Sequence, residues 1–203
     1  MNNEMGKLDM KNIFASNLTN KSIGEIKMRK FLGSVFIMFL LGMMLMSTNV
    51  FAAVIQISTI EDLQKIGNDA AYPLNGEYEL TQDIDASATV NWNDGAGFKP
   101  IGTSNAPFLG KIDGKEHKIT GLYINRSDED YVGLFGYIGS GGEVKNLELE
   151  GCCVIGNENV GGLVGYNRGS IVSSYSTGVV SGVVGVGGLV GYNDGGIIVS
   201  SYS

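Results

Sequence analysis

The segment Val160-Gly-Gly-Leu-Val-Gly-Tyr-Asn167 returns as Val186-Gly-Gly-Leu-Val-Gly-Tyr-Asn193, and the second copy begins 26 residues after the first. The residues that follow each copy also repeat, since Ile171-Val-Ser-Ser-Tyr-Ser176 returns as Ile198-Val-Ser-Ser-Tyr-Ser203. Self-similarity at a fixed period of about 20 to 50 residues is typical of proteins built from stacked units. The sequence therefore predicts a repeat architecture before any single motif is considered.

Weaker copies lie upstream. Val132-Gly-Leu-Phe-Gly-Tyr137 and Val144-Lys-Asn-Leu-Glu-Leu149 match the two repeated segments, and we align Phe108-Leu-Gly110 and Ile119-Thr-Gly-Leu-Tyr-Ile124 with the same positions one unit earlier. Short runs rich in Val, Ile, Leu and Tyr between turn residues predict strands. One unit cannot bury its apolar face alone. The prediction is an all-β chain folded as a parallel β-solenoid, similar to a β-helix, with repeats of about 26 residues.

Glycine makes up 19 of the 71 residues from 133 to 203. Without a period this composition indicates disorder, but with regular apolar positions glycine permits tight corners and close backbone packing. Along residues 160–166 side chains alternate between the two faces of a strand, and the sequence allows either Leu163 or Val164 to lie on the face towards the core. We expect the inward row to consist of Leu134, Leu163 and Leu189.

These copies resemble the GLUG repeat of bacterial secreted and surface proteins. The stretches 80–85, 97–102, 108–114 and 117–124 look like the leading coils that precede such repeats. The resemblance covers about residues 55–203, with 53–107 as N-terminal cap and leading coils and 108–203 as GLUG-type repeats. It implies an adhesin-like protein, or a large surface peptidase of the immunoglobulin A1-cleaving type in which the repeats lie outside the catalytic unit.

The N-terminal region has the order of a secretory signal peptide. Six Lys and Arg residues precede the apolar run 31–46, and Val50-Phe-Ala52 ends on a small residue. We predict a signal peptide over 1–52 with cleavage after Ala52, and an uncleaved anchor is the alternative. Both place the repeats outside the cytoplasm, and cleavage leaves no membrane segment.

Residues 53–203 carry 8 Lys and Arg against 18 Asp and Glu, a net charge of −10. Phosphate binding needs clustered basic residues, so nucleic acid is not an expected partner. The expected partners are a host or matrix protein or a glycan. Because the sequence stops inside the strand position of the fourth unit, we expect the rest of a longer chain to follow Ser203.

One helix is predicted, over Ser58-Thr-Ile-Glu-Asp-Leu-Gln-Lys-Ile-Gly67. Thr59 is the N-cap candidate, Leu63 and Ile66 share a face, and Gly67 suits the C-terminal stop. A solenoid exposes the core of its first coil unless something covers it. We expect this helix to be that N-terminal cap.

The sequence offers little for catalysis or metal binding. The candidate carboxylates for catalysis on polysaccharides or for calcium binding are those of Asp83, Asp85, Asp94 and Asp113. The alternative is structural, because an aspartate at a turn hydrogen-bonds to its own backbone. The single histidine, His117, excludes a two-histidine zinc site, and no Gly-x-Ser-x-Gly motif accompanies the serines. No catalytic residue, no metal ligand and no cofactor is predicted, with calcium as the one open possibility.

The two cysteines and the aromatic residues complete the candidates. Cys152 and Cys153 are adjacent on a strand, so one thiol should face inward and the other outward. Tyr137, Tyr166 and Tyr192 recur at equivalent positions, and such a row either packs between coils or contacts sugar rings. Trp92 lies in an Asn-Trp-Asn-Asp loop and belongs to a surface site or covers the first coil.

The sequence therefore predicts a secreted or surface-displayed, non-catalytic module with a structural and adhesin-like, ligand-binding role. The alternative is the non-catalytic N-terminal region of a larger secreted peptidase or polysaccharide-active enzyme. Nothing in the sequence identifies the ligand.

Overall fold

A computed structural model describes residues 27–30 and 53–203. Residues 53–203 form a parallel β-solenoid of about five turns, as the repeat predicts. The apolar run 31–46 and the proposed cleavage point at Ala52 lie outside the described residues. Among the described helices, none combines the length and the apolar character that a membrane crossing needs.

Residues 27–30 are helical. Within residues 53–203, sixteen strands and one α-helix are described, together with two short 3-10 helices at Ser87–Asn91 and Asn93–Gly95. In chain order they are β1 (Ile55–Ile57), α1 (Ile60–Lys65), β2 (Glu77–Leu80), β3 (Ile84–Asp85), β4 (Lys111–Asp113), β5 (Lys118–Thr120), β6 (Tyr123–Asn125), β7 (Phe135–Ile138), β8 (Glu143–Lys145), β9 (Glu148–Ile155), β10 (Glu158–Gly161), β11 (Val164–Asn167), β12 (Ser170–Val172), β13 (Tyr175–Ser181), β14 (Val184–Gly187), β15 (Val190–Asn193) and β16 (Ile197–Val199).

All strands in the described sheets pair in parallel with strands of neighbouring coils. Sheet A has the order β1-β2-β4-β8-β12-β16, and sheet B has β3-β5-β9-β13, with β6 also paired to β9. Sheet C has β7-β11-β15, and sheet D has β10-β14. A complete coil such as β10 to β13 therefore contributes one strand to each sheet.

The near-identical segments lie on top of each other. Val164 pairs with Val190, and Tyr166 pairs with Tyr192. Leu163 donates its backbone N–H to the carbonyl of Leu189 at 3.0 Å. The expected inward row is confirmed, since Leu134, Leu163 and Leu189 are all buried.

Side chains from both of these alternatives, Leu163 and Val164, contribute to the core. Leu163 and Val164 are neighbours in sequence, yet both are fully buried. Strict alternation would put them on opposite faces. Leu163 lies in the corner between β10 and β11, outside either strand, so the alternation restarts there and both side chains point inward.

The glycines of the repeated segment are required by close backbone packing. Gly136, Gly165 and Gly191 occupy one position in three coils. A Cβ atom on Gly165 would lie 2.5 Å from the carbonyl carbon of Tyr131 and 2.7 Å from the nitrogen of Val132. Real Cβ atoms do not come so close to backbone, so sheet C approaches the preceding chain segment only where glycine stands.

Buried polar side chains form hydrogen bonds at the corners of the coils. Asn167 is fully buried, donates to Asn193 in the next coil at 2.8 Å, and accepts from the N–H of Gly169. The buried Ser174 hydroxyl accepts from the N–H of Leu147 and donates to the Val172 carbonyl. The corner groups that would otherwise be unpaired are therefore hydrogen-bonded.

The predicted N-terminal helix is present. Thr59 accepts a hydrogen bond from the N–H of Asp62, and Gly67 follows the helix with φ of 77°. Ile60, Leu63 and Ile66 are buried in the same apolar core as the coils. The helix therefore covers the core beside β1, the first strand of sheet A.

The alignment of the earliest unit was wrong. Val144 pairs with Ile112, and Ile119 pairs with Leu149, so residues 119–124 do not occupy the position of residues 144–149. Phe108 likewise bridges to Ile138, whereas Ile101 bridges to Phe135. The leading coils are longer than the repeats because several connections carry extra residues, among them the loops at 99–106 and 126–131 and the turns at 114–117 and 139–142, so a constant period does not hold across them.

We predict that Gly165→Ala destabilises residues 53–203 by about 2–3 kcal/mol, because the added methyl group meets backbone that cannot rotate away. Urea unfolding followed by circular dichroism measures this change. Gly151→Asn is the matched control, since Gly151 has open space around it and a φ of 62°, which asparagine tolerates. An equal effect of the two substitutions would contradict the close packing.

Candidate functional site

The recurring tyrosines form a stack along sheet C. The rings of Tyr137 and Tyr166 are 4.6 Å apart at 14°, and those of Tyr166 and Tyr192 are 5.2 Å apart at 28°. This geometry follows from register, because Tyr137, Tyr166 and Tyr192 pair residue by residue in adjacent strands. Each such pair adds about 0.5–1.5 kcal/mol beyond its buried area.

A fourth tyrosine joins the stack from the side. The ring of Tyr131 stands at 72° to that of Tyr137 and at 85° to that of Tyr166, with centroids 5.8 Å and 5.5 Å apart. Both are edge-to-face contacts, which aromatic rings favour. Tyr131 thus supports the stack on one side and faces a surface groove on the other.

An ion pair fixes the C-terminal part of the stack. Asp194 accepts hydrogen bonds from the Tyr166 hydroxyl at 2.8 Å and from Arg168 Nε at 2.7 Å. The Tyr166 hydrogen bond, then that of Arg168, lowers the pKa of Asp194. The same hydrogen bond raises the pKa of Tyr166 to about 12. The charge of Asp194 therefore holds the Tyr166 ring in one orientation between two coils.

Stacking limits what the tyrosine row can bind. A sugar ring packs its apolar face against the face of an aromatic ring. Both faces of Tyr166 and one face of Tyr137 are covered by neighbouring rings, while Tyr192 is 50% exposed. Along this row, the described structure thus favours packing over ligand contact, and ligand contact by these residues stays a prediction.

Trp92 is not part of this row. Its ring packs on Phe98 at 6.4 Å, and it lines a shallow depression of about 360 Å³ beside α1 with Gln64 and Asn68. Gln64 also bonds to the backbone of Lys99 in both directions, which joins α1 to the loop after Phe98. Trp92 therefore covers the core near α1, and a ligand role for it remains untested.

The candidate carboxylates serve the backbone and neighbouring charges. Asp83 accepts from the N–H of Lys118 and contacts His117, and Asp85 accepts from the N–H of Ser87. Asp113 accepts from Asn146 and from the N–H of Lys115. Within residues 27–30 and 53–203, no three metal-ligating side chains converge. Each of these three aspartates is thus engaged in a turn or coil contact.

The cysteines divide as the strand geometry predicts. Cys152 is buried and lies 3.7 Å from the hydroxyl of Ser176, whereas Cys153 is partly exposed on the outside of sheet B. Neither thiol is oxidised to a disulfide. Burial raises the pKa of the Cys152 thiol, which therefore stays protonated and packs as a small apolar group.

The sequence interpretation missed Tyr131. Asn159 and Gly185 occupy the corresponding position in the next two coils, just before the paired valines. All three have left-handed backbone, with φ of 60°, 56° and 65°. Asparagine and glycine are the residues that adopt this conformation readily. The sequence signal that could have identified Tyr131 is a tyrosine at a position where the next two coils carry asparagine and glycine.

Comparison with known proteins gives two relatives and no family assignment. No family model matches the chain, and no solved structure matches it. The chain is 41% identical over 132 residues, 63% of its length, to halomucin from Haloquadratum walsbyi. It is 43% identical over 97 residues, 46% of its length, to a putative Gly-rich membrane protein from Evansella cellulosilytica. The GLUG assignment stays a prediction.

The matched regions are small parts of these relatives. They span 1% of halomucin and 11% of the Gly-rich membrane protein. The activities and partners of the whole proteins therefore do not follow from the similarity.

We predict that Tyr166→Phe raises the pKa of Asp194 towards its ordinary value, because one of two hydrogen bonds to the carboxylate is removed while the ring stays. Side-chain carboxyl NMR titration measures this. Tyr137→Phe, in the same stack, should leave the pKa of Asp194 unchanged.

The lowered pKa of Asp194 also determines how the stability of the folded protein depends on pH. The pKa of Asp194 is lower in the folded protein than in the unfolded chain, so its stabilising contribution is present above the unfolded pKa and lost as pH falls through the folded pKa. An unaltered Asp194 titration in Tyr166→Phe would show that the hydrogen bond does not form in solution.

Proposed function

We propose that this chain is a non-catalytic β-solenoid module of a secreted or cell-surface protein, with a structural and adhesin-like role. The proposal rests on the contacts made by polar side chains that could otherwise take part in catalysis. Asn167, Ser174, Ser176 and Asp113 are all engaged in coil-to-coil hydrogen bonds rather than converging in a cleft. The repeat thus builds a rigid scaffold that presents its outer faces.

Charge supports an extracellular setting. Residues 53–203 have a net charge of −10, which keeps an exported protein dispersed by self-repulsion. Charged side chains on sheet A and in the turn after β4 pair across coils, as Lys115 with Glu79 at 3.2 Å and Lys145 with Asp113 at 3.4 Å. Such alternating charges leave no basic patch on this face for nucleic acid.

The names of the relatives support the same setting. One relative is named a halomucin and the other a putative membrane protein. We extend to this chain only the coarse inference of a place at or beyond the cell surface. We also propose that the copies belong to the GLUG repeat and that residues 1–52 direct export.

Export is tested by expressing the full chain in a secreting bacterial host and locating it by cell fractionation. We expect the protein in the medium or on the surface, with Ala53 as its first residue by N-terminal sequencing. A matched variant lacking residues 31–46 should remain inside the cell. Retention of the intact chain in the cytoplasm, with Met1 still present, would refute export.

The adhesin-like role is tested separately, with residues 53–203 on immobilised extracellular-matrix proteins and on glycans. We expect saturable binding to at least one of these surfaces. Absence of binding to every surface, by a folded protein, would leave a purely structural module and remove the adhesive part of the proposal.

A further inference from the structure

A polar groove lies between two loops of the leading coils. It has a volume of about 380 Å³ and is lined by side chains that include Lys99, Thr103, Ser104, Arg126, Glu129 and Tyr131. This volume is at the lower end of the roughly 300–1,000 Å³ that small-molecule sites occupy. The loops at 99–106 and 126–131 are among the segments in which the leading coils are longer than the repeat, and binding residues are disproportionately found on such loops.

Both walls of the groove are held in place. Ile101 donates its N–H to Leu134, and Thr103 and Ala106 bond to each other through their backbones. On the other wall, Tyr131 donates its N–H to Glu158 at 2.8 Å, and Asp130 accepts from Asn157 at 2.9 Å. A groove with fixed walls loses little conformational entropy on binding.

The charges in the groove balance. Arg126 is paired with Glu129 at 2.7 Å, its side chain is only 12% exposed, and its Nε bonds to the carbonyl of Phe98. Lys99 donates to Asn68, and Asp130 also lines the groove. Equal numbers of positive and negative groups favour a neutral ligand with many hydrogen-bonding groups over an ion.

Tyr131 occupies a position that local backbone preference does not explain. Its φ is 60°, a conformation that costs a residue other than Gly or Asn about 1–2 kcal/mol. The next two coils carry Asn159 and Gly185 there. Such a cost is kept where the side chain is needed, and here one side of the ring contacts Tyr137 while the residue borders the groove.

We infer that this groove binds a neutral carbohydrate, with Tyr131 as the aromatic wall and with Thr103, Ser104, Arg126 and Glu129 as the polar contacts. This inference rests on the proposed adhesin-like function and gives it a place and a ligand class. Sugars combine apolar ring faces with a rim of hydroxyl groups, and the groove offers an aromatic ring beside donors and acceptors.

The test uses residues 53–203, whose described core is formed by their own side chains. The probe is an array of neutral oligosaccharides printed beside their sialylated and sulfated counterparts. We expect binding to at least one neutral oligosaccharide, which is then measured by titration calorimetry.

Two variants address the groove and one serves as control. Tyr131→Asn removes the ring and places there the residue found at the same position of the next coil, so the fold should persist. Ser104→Trp fills the groove from an exposed position. Each should weaken binding by about tenfold or more, the size typical of losing a central contact. Tyr202→Ala is the control, because it removes an exposed tyrosine that stacks on Tyr175 and does not line the groove, and it should leave binding unchanged.

Three results would overturn the inference: no binding to any neutral oligosaccharide, binding to acidic glycans alone, or binding lost in Tyr202→Ala but kept in Ser104→Trp. The proposed function fails on a different result: either the protein is not exported, or it binds none of the matrix and glycan surfaces.

Discussion

The close approach of backbone at glycine is the constraint on which the remaining structure depends. Gly165 and Gly191 of sheet C lie against the backbone that enters the preceding coil, and Gly136 lies against the backbone of Gly102 and Tyr131, in each case at distances that leave no room for a Cβ atom. This approach closes the coil and aligns its neighbours, so that side chains of like position stack. The leucine row, the asparagine contact and the tyrosine stack all require that alignment. A slip of one residue would remove them together.

Much of the fold could be predicted from the sequence because the later coils repeat with little change. Leu163 and Leu189 were placed as neighbours from identity alone, and the helix was placed from its capping residues. The leading coils could not be aligned in this way. Their register is set by which apolar residues reach the core, as with Ile112 beneath Val144, and loop insertions hide that pairing from any fixed period.

The site was predicted only in part. The tyrosine row was visible as a repeat, but whether its ring faces are free depends on the distance between coils, which the sequence does not contain. Tyr131 was missed because its partners, Tyr137 and Tyr166, become neighbours only through coiling. Within the segments that repeat, equivalent residues pack in equivalent places, whereas a departure from the repeat such as Tyr131 makes contacts that its counterparts Asn159 and Gly185 do not make.

The central claim is that coils stack in register with the spacing of a parallel sheet. Spin labels at Gln56 paired with Lys145, Val172 or Val199, in a chain with both cysteines replaced by alanine, test it directly. These positions are three, four and five strands apart in sheet A. The account predicts that backbone distances rise by about 4.8 Å per coil, from about 14 to about 24 Å. Distances that do not increase in equal steps would contradict it.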